Sequence, residues 1–193
     1  MILLTGGSAC GKSSFAESLC LKIPGKKYYI AAMKPCGEEG AAKVKRHRSL
    51  RRGKGFKTIE RYTDLAGLRL PSSRKMAEMA QDKAQPQKQS SQQPVALLEC
   101  ICNLTANEMF GEDGSIRDPY EAVTDGVFSL ALQCWTLIVI TNDVGSEDLT
   151  ALSGETKAYV DAMGRINAAL ARQADTICEL VCGIPIVLKG ELP

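Results

Sequence analysis

The chain has 193 residues, 45% hydrophobic and 24% charged, an ordinary globular composition long enough to bury a core without disulfide or metal staples. His47 is the sole histidine, so a His-rich metal site and a His–His relay within one subunit are excluded, and any imidazole chemistry must use that residue. The net charge of +2 conceals a focus: residues 43–61 hold nine Lys/Arg against one acid, Glu60, a net of +8, and the rest of the chain carries −6. The apolar run Met1–Thr5 predicts a buried strand, followed by a Gly-rich turn and a helix over Ser13–Leu21 with Phe15, Ala16, Leu19 and Cys20 on one face. Tyr28–Met33 predicts a second strand, and a polar stretch then leads into the basic segment, helical at its start.

Residues 71–94, with six glutamines and three prolines, predict a short helix and then a polar, mobile connector. Neither flank has enough core of its own, so the expectation is one domain over 1–193 with this stretch as a surface excursion. Val95–Cys100 predicts a third buried strand carrying Glu99 at its end. A helix is expected over Pro119–Trp135, a fourth strand over Leu137–Thr141 and an amphipathic helix over Glu155–Ala174. Residues 176–188 predict one or two last strands, with Gly183–Pro185 as the break. Apolar strands alternating with amphipathic helices imply an α/β fold with a parallel sheet covered on both faces. The eight cysteines form no C-x-x-C pair and read as reduced, mostly buried thiols of a cytoplasmic protein. No run approaches the roughly 18 apolar residues of a membrane span.

Gly6-Gly7-Ser8-Ala9-Cys10-Gly11-Lys12-Ser13 fits G-x-x-x-x-G-K-[ST] in full, between a strand and a helix. The glycines let backbone N–H groups converge on phosphate oxygens, Lys12 would reach the β- and γ-phosphates, and the Ser13 hydroxyl would bind Mg²⁺. Cys10 is expected to be a small filler rather than a reactive thiol. Glu99, at a strand end, is a second candidate for holding Mg²⁺.

The basic focus around His47 points to an anionic ligand, although a solvated basic helix has the same composition. Neighbouring cations disfavour the imidazolium and push the pKa below the usual ~6.5, leaving the neutral ring that a nucleophile requires. The same cations can neutralise charge building on a phosphate under attack. The residues leave two readings open: a histidine that attacks phosphorus, or one that only contacts phosphate or solvent.

The ordered set ILLTGGSACGKSSFAE, YYIAAM, AAKVKRHRS, FKTIE, LLEC, TNDVG, GRINAALA and GIPIVLK resembles the bifunctional adenosylcobinamide kinase/adenosylcobinamide-phosphate guanylyltransferase family of cobalamin biosynthesis over nearly the whole chain. The resemblance implies a kinase step with GTP and/or ATP and Mg²⁺. It also implies a guanylyl transfer in which a histidine, at the position of His47, is guanylylated by GTP. By position, Ala31, Ala32, Met33, Arg48, Arg51, Glu60 and Glu99 join residues 6–13 as nucleotide contacts. A homo-oligomer, a trimer in the family, is implied too. The chain departs from the family pattern at Ala9-Cys10, at Phe56 where a Trp is usual, and at Ser146-Glu147-Asp148. The expected fold is three-layer and P-loop NTPase-like, mostly parallel, with an antiparallel strand near the C-terminus. Two alternatives stand beside this reading: a P-loop small-molecule kinase without guanylyl transfer, and a non-enzymatic GTP-dependent binding protein. With 5% aromatics and no stacking motif, no nucleic-acid partner is expected.

Overall fold

Among the described residues seven strands form one sheet in the order β3-β2-β4-β5-β1-β6-β7. They are β1 (Ile2–Thr5), β2 (Lys26–Ala31), β3 (Phe56–Glu60), β4 (Pro94–Glu99), β5 (Thr136–Ile140), β6 (Thr176–Val181) and β7 (Ile184–Lys189). All neighbours run parallel except β7, which is antiparallel to β6. The helices are α1 (Lys12–Lys22), α2 (Gly37–Arg51), α3 (Ile101–Met109), α4 (Tyr120–Ala131) and α5 (Gly154–Gln173), with a 3₁₀ turn at Leu65–Gly67. The computed structural model describes residues 1–35, 37–71, 94–145 and 153–193. The short helix and connector expected within 71–94, and the Ser146–Asp148 departure, lie outside the described residues (72–93 and 146–152).

Alternation along the central strands creates the three layers. Ile2, Leu4, Tyr29, Val95, Leu97, Ile138 and Ile140 pack with Ala16, Leu19 and Cys20 of α1. The intervening Leu3, Ile30, Ala96, Leu98, Leu137 and Val139 pack with α3, α4 and α5 on the other face. Strands β4 and β5 are buried almost throughout, as a parallel sheet covered on both sides requires. On α4, Gly126 admits the 3₁₀ turn: an added Cβ would stand 2.7 Å from that of Leu65.

The expected α/β layering is present, with differences in single elements. Phe56–Glu60 is a strand that the basic segment concealed; it sits at the sheet edge and only half-buries Phe56 and Ile59. Helix α3 was not foreseen, because it starts directly after β4 and reads as a continuation of one apolar run. Helix α2 starts at Gly37, and α4 ends at Ala131 rather than Trp135. The final break is the two-residue turn Cys182–Gly183, both with positive φ (51° and 82°), and Pro185 lies inside the edge strand β7.

Candidate nucleotide site

The site gathers at the C-terminal ends of the parallel strands. Beyond β1 the chain turns at Gly6, where φ is +134° and a Cβ would stand 2.5 Å from the Leu180 carbonyl oxygen. Gly11 (φ +97°) caps α1 with no side-chain hydrogen bond, so the first amides of α1 remain available to an anion. Lys12 is buried, and its Nζ donates to the carbonyls of Gly6 (2.8 Å) and Gly7 (2.6 Å) inside the curl of the loop. The Cys10 Sγ lies 3.6 Å from the same Nζ, and the residue packs against the α1-side core. Ser8, Ala9, Cys10, Gly11, Lys12 and Ser13 line an open cleft of about 1370 Å³, whereas Gly6 and Gly7 contribute carbonyls to Lys12.

Glu99, at the end of β4, reaches this loop. Ser13 Oγ donates to Glu99 Oε1 and Tyr29 OH donates to Oε2, each over 2.5 Å. Burial, reinforced by the Glu99 charge, holds the Tyr29 hydroxyl far above the ordinary tyrosine range, so it remains a donor. The Arg51 guanidinium stacks on the Tyr29 ring, 3.4 Å from its centroid.

A second pocket of about 500 Å³ adjoins the cleft and shares Glu99 and Cys100 with it. Register builds it: Ala31 of β2 pairs with Glu60 of β3 on one side and Glu99 of β4 on the other. Ala31, Met33, Arg51, Glu60 and Glu99 thus line one wall system, with Tyr62 and Asn103. Tyr62 OH donates to Glu60 over 2.9 Å. Ala32 is fully buried instead; its carbonyl accepts from Asn107 Nδ2 at 2.8 Å, the amide that also holds the Tyr62 carbonyl at 3.0 Å.

Helix α2 supplies the basic wall. Arg46 lines the phosphate-loop cleft together with Lys54, whose Nζ meets the buried Glu17 carboxylate at 2.5 Å. His47 and Arg48 follow Arg46 on α2; the structure describes them only by their place on the helix. At the start of α3, Asn103 Nδ2 donates to Cys100 Sγ at 3.2 Å. The neighbouring Cys102, with burial, pushes the Cys100 thiol well above its usual range, and Cys100 in turn lowers Cys102, with Asn142 and Tyr159 assisting.

Sequence reasoning missed Tyr29, Glu17, Lys54 and Asn107. Tyr29 read as a core strand residue, and only its register opposite Leu97, two positions before Glu99, would have placed its hydroxyl. An acid on the buried face of α1 was the available signal for Glu17.

A loop that can take a triphosphate, an acid beside its serine and a basic helix along the cleft match one family. The sequence model for cobinamide kinase / cobinamide phosphate guanyltransferase covers residues 2–188. The chain belongs to this transferase family. The bifunctional adenosylcobalamin biosynthesis protein CobU of Escherichia coli (strain K12) is 29% identical over 201 residues, spanning 98% of this chain and 99% of that protein. The protein of the same name from Salmonella typhimurium gives the same identity and coverage. A solved protein from Pyrococcus horikoshii OT3 superposes with a TM-score of 0.51 at 10% identity, covering 98% of this chain and 86% of its own, a likeness of fold alone. Among the described residues no helix is long and apolar enough to cross a membrane.

Proposed function

We propose that the chain phosphorylates the aminopropanol hydroxyl of adenosylcobinamide with a nucleoside triphosphate, then carries GMP from GTP to the cobinamide phosphate through His47. The observation that carries this reading is that Arg46, the residue before His47, lines the same cleft as Lys12, Ser13 and Glu99. The helix bearing the lone histidine therefore borders the triphosphate loop.

In the kinase step the substrate hydroxyl oxygen attacks the γ-phosphorus, its proton passes to solvent, the bond to the bridging oxygen breaks, and the nucleoside diphosphate leaves. In the transfer step a neutral imidazole nitrogen of His47 attacks the α-phosphorus of GTP and pyrophosphate leaves. A phosphate oxygen of the cobinamide phosphate then attacks the same phosphorus, the N–P bond breaks, and the imidazole leaves neutral with its nitrogen lone pair restored. The loop amides and Lys12 hold phosphate, and Arg46 offsets charge along the cleft. Ser13 Oγ and Glu99 Oε1, hard oxygen donors beside the loop, suit Mg²⁺. When bound, Mg²⁺ neutralises phosphate charge. One sheet that takes in all seven strands of the described residues supports reading the chain as one domain. The exposed apolar residues of the edge strand β7 (Ile184, Ile186, Val187, Leu188) support a homo-oligomer, a trimer by family, to be checked by light scattering.

The deciding experiment is incubation with α-labelled GTP, Mg²⁺ and adenosylcobinamide, followed by mass spectrometry of protein and corrinoid. The expected result is an acid-labile, alkali-stable GMP adduct that His47→Ala lacks, with GDP-cobinamide as product. An adduct of wild-type intensity on His47→Ala would overturn the covalent step. Cobinamide phosphate without any adduct would leave a kinase alone.

A further inference from the structure

Glu99 is gripped from two sides. Ser13 of the phosphate loop donates to one carboxylate oxygen and Tyr29 of β2 to the other, both at 2.5 Å. The Tyr29 ring in turn carries the Arg51 guanidinium at 3.4 Å from its centroid. Arg51 is the last residue of α2, one helical turn beyond His47. It is 7% exposed, and among the described residues its Nε and Nη1 have no hydrogen-bond partner. Its stack on Tyr29 is thus a direct contact between the end of α2 and the sheet. A continuous series, Ser13–Glu99–Tyr29–Arg51, joins the phosphate loop to the end of the histidine-bearing helix.

We propose that Tyr29 is a positioning residue with two separable tasks: its hydroxyl orients the Glu99 carboxylate for a divalent cation, and its ring seats α2 through Arg51. The second task rests on the role given to His47 above; the first does not. A hydroxyl donating to a carboxylate fixes which oxygen remains turned toward the loop, and such supporting hydrogen bonds commonly control metal affinity. A desolvated cation–π contact is strong enough to decide whether a helix end stays seated. Phenylalanine keeps the ring and removes the hydroxyl, whereas leucine removes both.

The test uses the full chain with Tyr29→Phe and Tyr29→Leu. Mn²⁺ binding in the presence of GDP is read by electron paramagnetic resonance, and GMP adduct formation from α-labelled GTP is followed across Mg²⁺ concentrations. Tyr29→Phe is expected to weaken Mn²⁺ binding about tenfold, with an adduct-rate deficit that closes as Mg²⁺ rises. Tyr29→Leu is expected to show the same Mn²⁺ loss and an adduct rate about tenfold lower than Tyr29→Phe at saturating Mg²⁺. Mn²⁺ affinity of Tyr29→Phe equal to wild type overturns the hydroxyl's task. Equal saturating rates for Phe and Leu overturn the ring's task. Should Tyr29→Leu fail to fold by circular dichroism, Tyr29→Met replaces it, with the same Mn²⁺ loss and an adduct rate about tenfold below that of Tyr29→Phe at saturating Mg²⁺ expected. A His47→Ala control that still forms adduct breaks the covalent reading and leaves the Mn²⁺ comparison intact.

Discussion

Ser13 and Glu99 lie 86 residues apart in the chain, yet the Ser13 hydroxyl donates to the Glu99 carboxylate over 2.5 Å. β1 and β4 each border β5, and both deliver their C-terminal ends to one edge of the sheet. Parallel strands make this convergence automatic: every strand end faces the same crevice, and the loops there build the site.

Replacing Glu99 with Gln keeps the shape and removes the charge. If Glu99 holds Mg²⁺ as proposed, the half-saturating Mg²⁺ concentration for triphosphate turnover is expected to rise by about tenfold or more, since a carboxylate donor to a hard cation is then lost. Initial rates measured against Mg²⁺ check this, and an unchanged Mg²⁺ requirement would remove Glu99 from the cation site.

Gly6 and Gly7 stand side by side in the loop but answer to different constraints. A Cβ on Gly6 meets the Leu180 carbonyl oxygen at 2.5 Å at a φ of +134°, whereas one on Gly7 meets nothing within 4 Å. Gly6→Ala is expected to lose about 1–3 kcal/mol. Gly7→Ala should stay within about 0.5 kcal/mol of wild type. Urea unfolding of the two variants supplies the comparison; equal losses would contradict the close approach of β6 to the loop.

Much of this was legible beforehand. The phosphate loop is contiguous, so its motif and flanking strand and helix placed Lys12 and Ser13 directly. Glu99 was visible because a charge at the end of an otherwise buried run has few structural reasons to be there. Tyr29 was not, because its contact with Glu99 comes from a neighbour set by strand order, and strand order is a property of the sheet rather than of any segment. Strand β3 was hidden by its own role: an edge strand with exposed Lys57 and Thr58 shows little apolar alternation. Lys54 was counted within the basic focus, but its partner Glu17 lies 37 residues away on a helix that reads as simply amphipathic.

Cys102 is expected to be the first of the four thiols compared here to react with iodoacetamide. Its neighbour Cys100, with Asn142 and Tyr159 adding to the effect, lowers its pKa to about 6, while Cys100 is pushed upward. Its folded value lies below the unfolded one, so the thiolate contributes stability above the unfolded value that is lost as pH falls through about 6. Labelling at pH 7, read by peptide mass spectrometry, should find Cys102 ahead of Cys100, with the rate dropping below pH about 6. Burial pushes Cys20 and Cys134 up to about 12, so both should stay unlabelled until the chain unfolds. Labelling of Cys100 before Cys102 would reverse the order of the two thiols' acidities.

The Glu17–Lys54 pair binds the turn after α2 to α1. The Glu17 side chain is 8% exposed and that of Lys54 is 38%, with 2.5 Å between Oε2 and Nζ. Removing the cation leaves a buried carboxylate without its counter-charge, a more costly change than losing a surface ion pair. Since Lys54 keeps contact with solvent, Lys54→Met is expected to cost about 1–2 kcal/mol, less than a fully enclosed pair would. Adding Glu17→Gln removes the stranded charge, so the double variant should regain about half of that loss. Urea unfolding of the two single variants and the double variant gives the coupling energy directly. If the double variant is no more stable than Lys54→Met, the pair is worth no more than an exposed one, and the turn after α2 is held by its backbone alone.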